Sequence, residues 1–205
     1  MNAQGGPVRE LEVKAPVADP ALLRRRLVES GAVAEFEGIM EDRLFDRAGD
    51  TTARDEVVRV RTWRPAGAPA RAQVAWKGPT RRSPDGYKLR DELEFSAAGD
   101  GSAPTQFLAA LGYEVWRAVD RFVEVYRVHE AEVRMEWYPR MDVMVEVEGT
   151  PAAIEAAIAA SGLSRVLFEP EPLAEFVRRY ELRTGEPAVL ALADLKEGRP
   201  QWERR

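Results

Sequence analysis

The 205-residue sequence contains no cysteine and a single histidine, His129. Without thiols there are no disulfides, no thiolate zinc sites and no cysteine nucleophile, and one imidazole cannot build a histidine-rich metal centre. Any metal must therefore be held by oxygen. Long apolar runs are also missing: no stretch approaches the about 20 residues that a membrane span needs, and residues 1–7 lack the apolar core of a secretion signal. A cytoplasmic location with no membrane partner is the expectation. There is no excess of positive charge either, since 35 acidic residues against 30 basic ones leave a net charge of −5. That balance argues against a protein that coats nucleic acid. The bases present are mostly arginine, whose planar fork engages two phosphate oxygens at once.

Seven segments alternate with period two and read as strands: residues 10–14, 57–63, 72–77, 88–95, 121–128, 132–137 and 142–148. Helices are expected over residues 21–30, 104–110 and 152–160, each with a proline near its start and a glycine stop at Gly31, Gly112 or Gly162, and a fourth over 173–182. Glu10-Leu11-Glu12-Val13 is echoed by Glu92-Leu93-Glu94-Phe95, each followed by a helix, so two similar halves are expected with a join near residues 96–103. Residues 1–6 and 197–205 read as loosely held ends, and Leu190, Leu192 and Leu195 as a segment capping the rest.

In strand after strand one face is ionised. Glu10, Glu12 and Lys14 share a face; so do Arg59 and Arg61, then Arg90, Glu92 and Glu94, then Asp142, Met144, Glu146 and Glu148. For one strand alone the plain reading is a solvated surface. Repeated over several strands whose apolar faces helices can cover, the pattern fits the polar interior of a closed barrel, which needs ions or a multiply charged ligand to offset its charge.

These residues also carry a resemblance. Glu10-Leu11-Glu12-Val13-Lys14 matches the ExExK signature of CYTH proteins, which include class IV adenylyl cyclases, thiamine triphosphatases and inorganic tripolyphosphatases. The acidic-aromatic stretch 42–46, Arg59-Val60-Arg61, Lys77-Gly78-Pro79, residues 90–94 and Val145-Glu146-Val147-Glu148-Gly149 follow in the order that such proteins show. The likeness spans about residues 8–180. It departs at residues 119–126, where Arg121 alone fits a Lys-x-Arg pair, and at Glu136, which stands where many members have aspartate; Arg134 supplies a cation on the same face.

The resemblance implies a mainly β, α+β fold: an eight-stranded antiparallel closed barrel, open as a tunnel, with helices outside and two pseudo-repeated halves. The domain would span residues 8–185, with halves 8–95 and 96–185 and a tail over 186–205. Carried over residue by residue, it implies Lys14, Arg59 and Arg61 as catalytic groups, and these with Lys77, Arg90, Arg121 and Arg134 as the cradle for a triphosphate. Glu10, Glu12, Glu146 and Glu148, with Glu92, Glu94 and Glu136 as additions, would hold Mg²⁺ or Mn²⁺. The small-molecule substrate is expected to be tripolyphosphate, thiamine triphosphate or a nucleoside triphosphate, acted on by a hydrolase; a cyclase making cyclic AMP and pyrophosphate is the alternative, and a non-catalytic polyphosphate binder a third. A monomer or homodimer is expected. The loop 80–87, with Arg81, Arg82 and Tyr87, is the candidate contact for whatever the triphosphate carries, while His129, beside Glu130 and Glu132, reads as a surface residue.

Overall fold

The computed structural model describes residues 8–204, so residues 1–7 and Arg205, which include the expected loose end 1–6 and the last residue of the other, lie outside the described residues. The chain runs β1 (Val8–Pro16), α1 (Pro20–Glu29), β2 (Val33–Asp46), α2 (Asp50–Ala53), β3 (Val57–Pro65), β4 (Arg71–Lys77), β5 (Arg81–Arg82), β6 (Lys88–Ala97), α3 (Ser102–Ala110), β7 (Glu114–Val128), β8 (Ala131–Trp137), β9 (Met144–Glu148), α4 (Pro151–Ser161) and α5 (Leu173–Thr184), with three short 3-10 turns toward the C-terminal end. All pairings are antiparallel. Eight strands in the order β1-β9-β8-β7-β2-β3-β4-β6 close on themselves through β1 and β6, and β5 is a two-residue appendage on β6. The expected eight-stranded barrel is therefore present.

Apart from the one-turn α2 between β2 and β3, the order strand, helix, three strands occurs twice, as β1-α1-β2-β3-β4 and as β6-α3-β7-β8-β9. A two-fold relation exchanges the copies, since β1 pairs with β6 and β2 with β7. The repeats meet in the loop before β6, not at 96–103: Glu92-Leu93-Glu94-Phe95 belongs to the first strand of the second repeat. The strand β2 was not among the expected seven, β7 starts seven residues before Arg121, and β9 starts at Met144, leaving Asp142 to accept from Arg183 at 2.7 Å outside the barrel.

Alternation decides which face goes where. The outward residues Val13, Ala15, Val133, Met135, Val145 and Val147 are buried under α1 and α4, which contribute Leu23, Leu27, Ile154, Ala157 and Ile158. Both helices start as their sequences dictate. Asp19 accepts from the Leu22 amide at 2.8 Å and Thr150 from that of Ala153 at 3.3 Å, each ahead of a proline at the first position. Burying so many aliphatic side chains on the outside leaves the inside free to be charged.

The interior is not charged throughout. At one end Phe36, Met40, Trp63, Val123 and Val125 cluster, with the Phe36 and Trp63 rings edge to face at 4.9 Å. Met40 pairs with both Trp63 and Arg121, so all three share the inward face, and Met40 and Trp63 form an apolar layer beside the charged residues. The segment after α5 docks on the rest of the chain: Val189 and Arg140 exchange backbone hydrogen bonds at 2.7 and 3.1 Å, the Asp120 amide donates to Leu190 at 2.7 Å, and Trp202, in the stretch expected to be loose, packs on the main core. Among the described residues no helix is long and apolar enough to cross a membrane.

Candidate functional site

The correspondence of the repeats holds for the order and pairing of their strands and is broken by charge. The inward residues of the first repeat's hairpin, Arg59 and Arg61 on β3 and Lys77 on β4, stand where the second repeat has Arg134 and Glu136 on β8 and Glu146 and Glu148 on β9. One wall of the barrel is thus basic and the facing wall largely acidic. Glu10, Glu12 and Lys14 on β1 and Arg90, Glu92 and Glu94 on β6 connect them, with Glu10 opposite Arg90 and Lys14 opposite Glu146. Period-two alternation places all fourteen expected site residues on inward faces.

Burial forces these charges to pair. Asp42, only 4% exposed, accepts from Arg61 through two bonds of 2.7 and 2.9 Å and also from Arg121. Burial alone would raise its pKa, yet the guanidinium groups of Arg61, then Arg121 and Arg59, hold it well below the usual carboxylate range. Glu136 is bound in the same way: against burial, Arg121 and Arg134 bring it down to about 2, and Tyr138 donates a hydrogen bond to it. The Lys14 ammonium lies 2.6 Å from Glu12 and also contacts Glu146, which accepts from Arg134. Lys77 donates to Glu10 at 2.5 and 2.7 Å and lies 3.2 Å from Glu92.

The basic side chains fall into two sets. Arg61 and Arg134 are locked by close carboxylates. Arg59 is not: its nearest acidic oxygens, on Glu94, Glu92 and Asp42, are 3.6, 3.7 and 3.9 Å away, and burial, aided by the adjacent Arg61 charge, lowers its pKa. Arg90 reaches Asp55 at 2.8 Å and the Thr80 hydroxyl at 2.5 Å with one nitrogen only. Four buried guanidinium nitrogens have no partner among the described residues: Nε of Arg59, Nε and one terminal nitrogen of Arg90, and Nε of Arg121. Buried donors in folded proteins are rarely left in this state.

A cavity of about 350 Å³ opens among them. Nine basic side chains line it (Lys14, Arg59, Arg61, Lys77, Lys88, Arg90, Arg117, Arg121, Arg134) against five acidic ones (Glu12, Asp42, Asp55, Glu56, Glu146), so it is a trap for an anion. Of the expected residues, Glu10, Glu92, Glu94, Glu136 and Glu148 do not line it. Glu94 accepts from Gln73 at 2.9 Å toward the rim. Sequence reasoning gave no role to Asp42, which lies in the stretch 42–46, nor to Lys88 and Arg117; Trp116 was weighed with Trp63, Trp76 and Trp137 for stacking on a base or a thiazole ring and not carried into the site. The parity of Asp42 with Met40 and Lys88 with Arg90 could have found the first two. The loop 80–87 does not contribute the expected contacts. Tyr87 is buried in the outer core and donates to Glu155 at 2.6 Å, while Arg81 and Arg82 pair outside with Asp91 and Glu171.

The acidic side has an unmet charge of its own. Glu148 has no ion pair among the described residues, and burial together with the Glu10 carboxylate, then Glu132, pushes it up to about 8. Oε1 of Glu92 is buried without a hydrogen bond, with only Arg59 at 3.7 Å, and burial and Glu10 raise that carboxyl as well. Among the described residues no three carboxylates converge closely enough to hold an ion as they stand. The donor chemistry, all oxygen with negative charge in excess around Glu10, Glu92 and Glu148, does suit a hard divalent cation.

No family model matches the sequence, and no curated protein matches it. Solved structures do. A candidate adenylate cyclase from Vibrio parahaemolyticus superposes with a TM-score of 0.69 at 18% identity, covering 85% of this chain and 99% of that one. A Pyrococcus horikoshii OT3 protein gives 0.67 at 21%, covering 83% and 98%. A Hippeastrum protein, described as a candidate adenylyl cyclase with a dominant triphosphatase activity, gives 0.58 at 17%, covering 90% and 99%. At these identities the likeness is one of fold, and the fold is the barrel that the resemblance to CYTH proteins implies.

Proposed function

We propose that this chain is a metal-dependent hydrolase that cleaves the terminal phosphate from a triphosphate-bearing compound. The observation that carries the reading is the set of unpartnered guanidinium nitrogens of Arg59, Arg90 and Arg121 around a cavity in which basic groups outnumber acidic ones. A chain of phosphates supplies the acceptors these donors lack, spaced along one molecule. The description of the Hippeastrum protein as a triphosphatase on the same fold adds support.

In this reading Arg59 and Arg90, loosely held, wrap the phosphate oxygens. Arg61, Arg121 and Arg134 keep their positive charge in place through Asp42, Glu136 and Glu146, so little reorganisation accompanies the reaction. Lys14, between Glu12 and Glu146, and Lys77, beside Glu10, neutralise charge that develops as the bond to the terminal phosphoryl group breaks. Glu10, Glu92 and Glu148, with Glu12 and Glu146 adjacent, would hold Mg²⁺ or Mn²⁺. When bound, such an ion neutralises phosphate oxygens and activates water.

A second reading, a class IV adenylyl cyclase, is favoured by the description of the Vibrio neighbour. A non-catalytic polyphosphate binder is disfavoured, because carboxylates such as Glu12 and Glu146 on the cavity wall repel a phosphate unless a cation sits between them. Product analysis by ³¹P NMR, on ATP, thiamine triphosphate and tripolyphosphate with Mg²⁺, Mn²⁺ or EDTA, tests the proposal. Orthophosphate released only with metal supports the hydrolase, pyrophosphate with cyclic AMP establishes the cyclase, and binding without any product leaves the binder.

A further inference from the structure

At the mouth of the cavity β7 carries a bulge. Leu44 pairs with Arg117 and Phe45 with Val115, which leaves Trp116 without a residue opposite it. An extra residue of this kind turns its side chain away from the ordinary alternation, and bulges are frequent beside functional sites. Trp116 lines the cavity while remaining 51% exposed, an unusual setting for the largest apolar side chain. Beside it the half-buried Arg117 also lines the cavity and makes no ion pair or hydrogen bond among the described residues. Across the opening stand Pro172 and Leu173, at the start of α5. The mouth therefore offers an indole face, an apolar wall and a free guanidinium group, immediately outside the basic interior.

Inorganic tripolyphosphate has nothing to place against an indole. A phosphate chain ending in a planar heterocycle does: the ring stacks on Trp116 against the Leu173 side, and Arg117 meets the phosphate that joins ring-bearing group and chain. Resting on the hydrolase reading, the geometry points to an organic triphosphate with a flat heteroaromatic group as the substrate class, with Trp116 and Arg117 as the residues that select it over inorganic tripolyphosphate.

The test is calorimetric titration of the full chain with ATP, thiamine triphosphate and tripolyphosphate, alongside turnover of each, for wild type, Trp116→Ala, Trp116→Phe and Arg117→Ala. Base stacking on an aromatic side chain sets the expected size: in Trp116→Ala the affinity for at least one organic triphosphate, relative to tripolyphosphate, falls on the order of tenfold to a hundredfold, and Trp116→Phe restores most of it. An unchanged ratio for both organic compounds in Trp116→Ala overturns the selection, even with all three hydrolysed. Selective binding that depends on Trp116, without turnover of any compound, supports the subsite and instead removes the hydrolase reading. Because binding is read directly, a variant that melts below the titration temperature is replaced by Trp116→Phe and Trp116→Leu, whose ratios must rank Phe above Leu.

Discussion

Replacing Asp42 by Asn keeps the shape of the side chain and removes one charge from a cluster in which Arg61, Arg121 and Arg59 surround it. The two bonds from Arg61, at 2.7 and 2.9 Å, and the bond from Arg121 all end on this carboxylate, which is 4% exposed, so no water can take its place. Breaking one member of a buried charge cluster costs about 3–5 kcal/mol. For a chain of this length each kcal/mol lowers Tm by roughly 2–4 °C, so Asp42→Asn should melt roughly 6–20 °C below wild type. The exposed pair Glu35–Arg127, at 3.1 Å, is the control: Glu35→Gln should cost about 1 kcal/mol or less. Tripolyphosphate, which brings negative charge to the same arginines, should raise the Tm of Asp42→Asn by more than it raises wild type. Circular dichroism melts of the three proteins with and without tripolyphosphate read all of this. If Asp42→Asn melts with Glu35→Gln, or gains no more than wild type from the ligand, Asp42 is not the hub of a ligand-seeking cluster and the reasoning fails.

Arg59→Ala should lower turnover on the order of 10²–10³-fold with Tm unchanged or raised, because Arg59 is buried with no close counter-ion; a Tm loss as large as that of Asp42→Asn would contradict its assignment as a loosely held gripping group. Acid should unfold the protein through Glu136 and Asp42. Both carboxyls are depressed in the fold, so their stabilisation is complete above the unfolded values near 4 and is lost as pH falls toward about 2 for Glu136, a contribution of roughly 3 kcal/mol; urea midpoints that stay flat from pH 6 to pH 3 would refute this. EDTA should abolish turnover and either Mg²⁺ or Mn²⁺ restore it, with loss of that metal response in Glu148→Gln checked by titrating the ion against rate. Gly101 sits at φ +82° with room for no Cβ, since one would lie 2.7 Å from the Thr62 hydroxyl, so Gly101→Ala should destabilise by about 1–3 kcal/mol in urea melts.

The barrel was legible because ionised residues recur at every second position (Glu10, Glu12 and Lys14; Arg59 and Arg61; Arg90, Glu92 and Glu94; Glu146 and Glu148) with mostly apolar residues between them, and only one of the two faces can be buried by helices. Along β2 the same signal fails. Glu35, Glu37 and Glu41 interrupt any apolar face, and a register shift between Ala34 and Phe36 breaks the period. The apolar layer was hidden for a different reason: Met40, Val123 and Val125 look like any core residues, although Trp63, two positions from Arg61, shares its inward face. The bulge that frees Trp116 is a pairing event between two strands distant in sequence, and nothing local announces it. At the site, residue types were readable but their division of labour was not. That Arg61 is clamped by Asp42 while Arg59 is left with unfilled donors follows from distances that the sequence does not contain.

The central claim is that the charged interior exists to hold a triphosphate, and its most direct measurement is equilibrium titration of a methylene-bridged, non-hydrolysable triphosphate in the presence of Mg²⁺. Binding at one site per chain is expected, weakened steeply by salt and by Arg59→Ala or Arg90→Ala, and insensitive to Arg82→Ala outside the barrel. Equal binding by all of these proteins, or no binding at all, would contradict it.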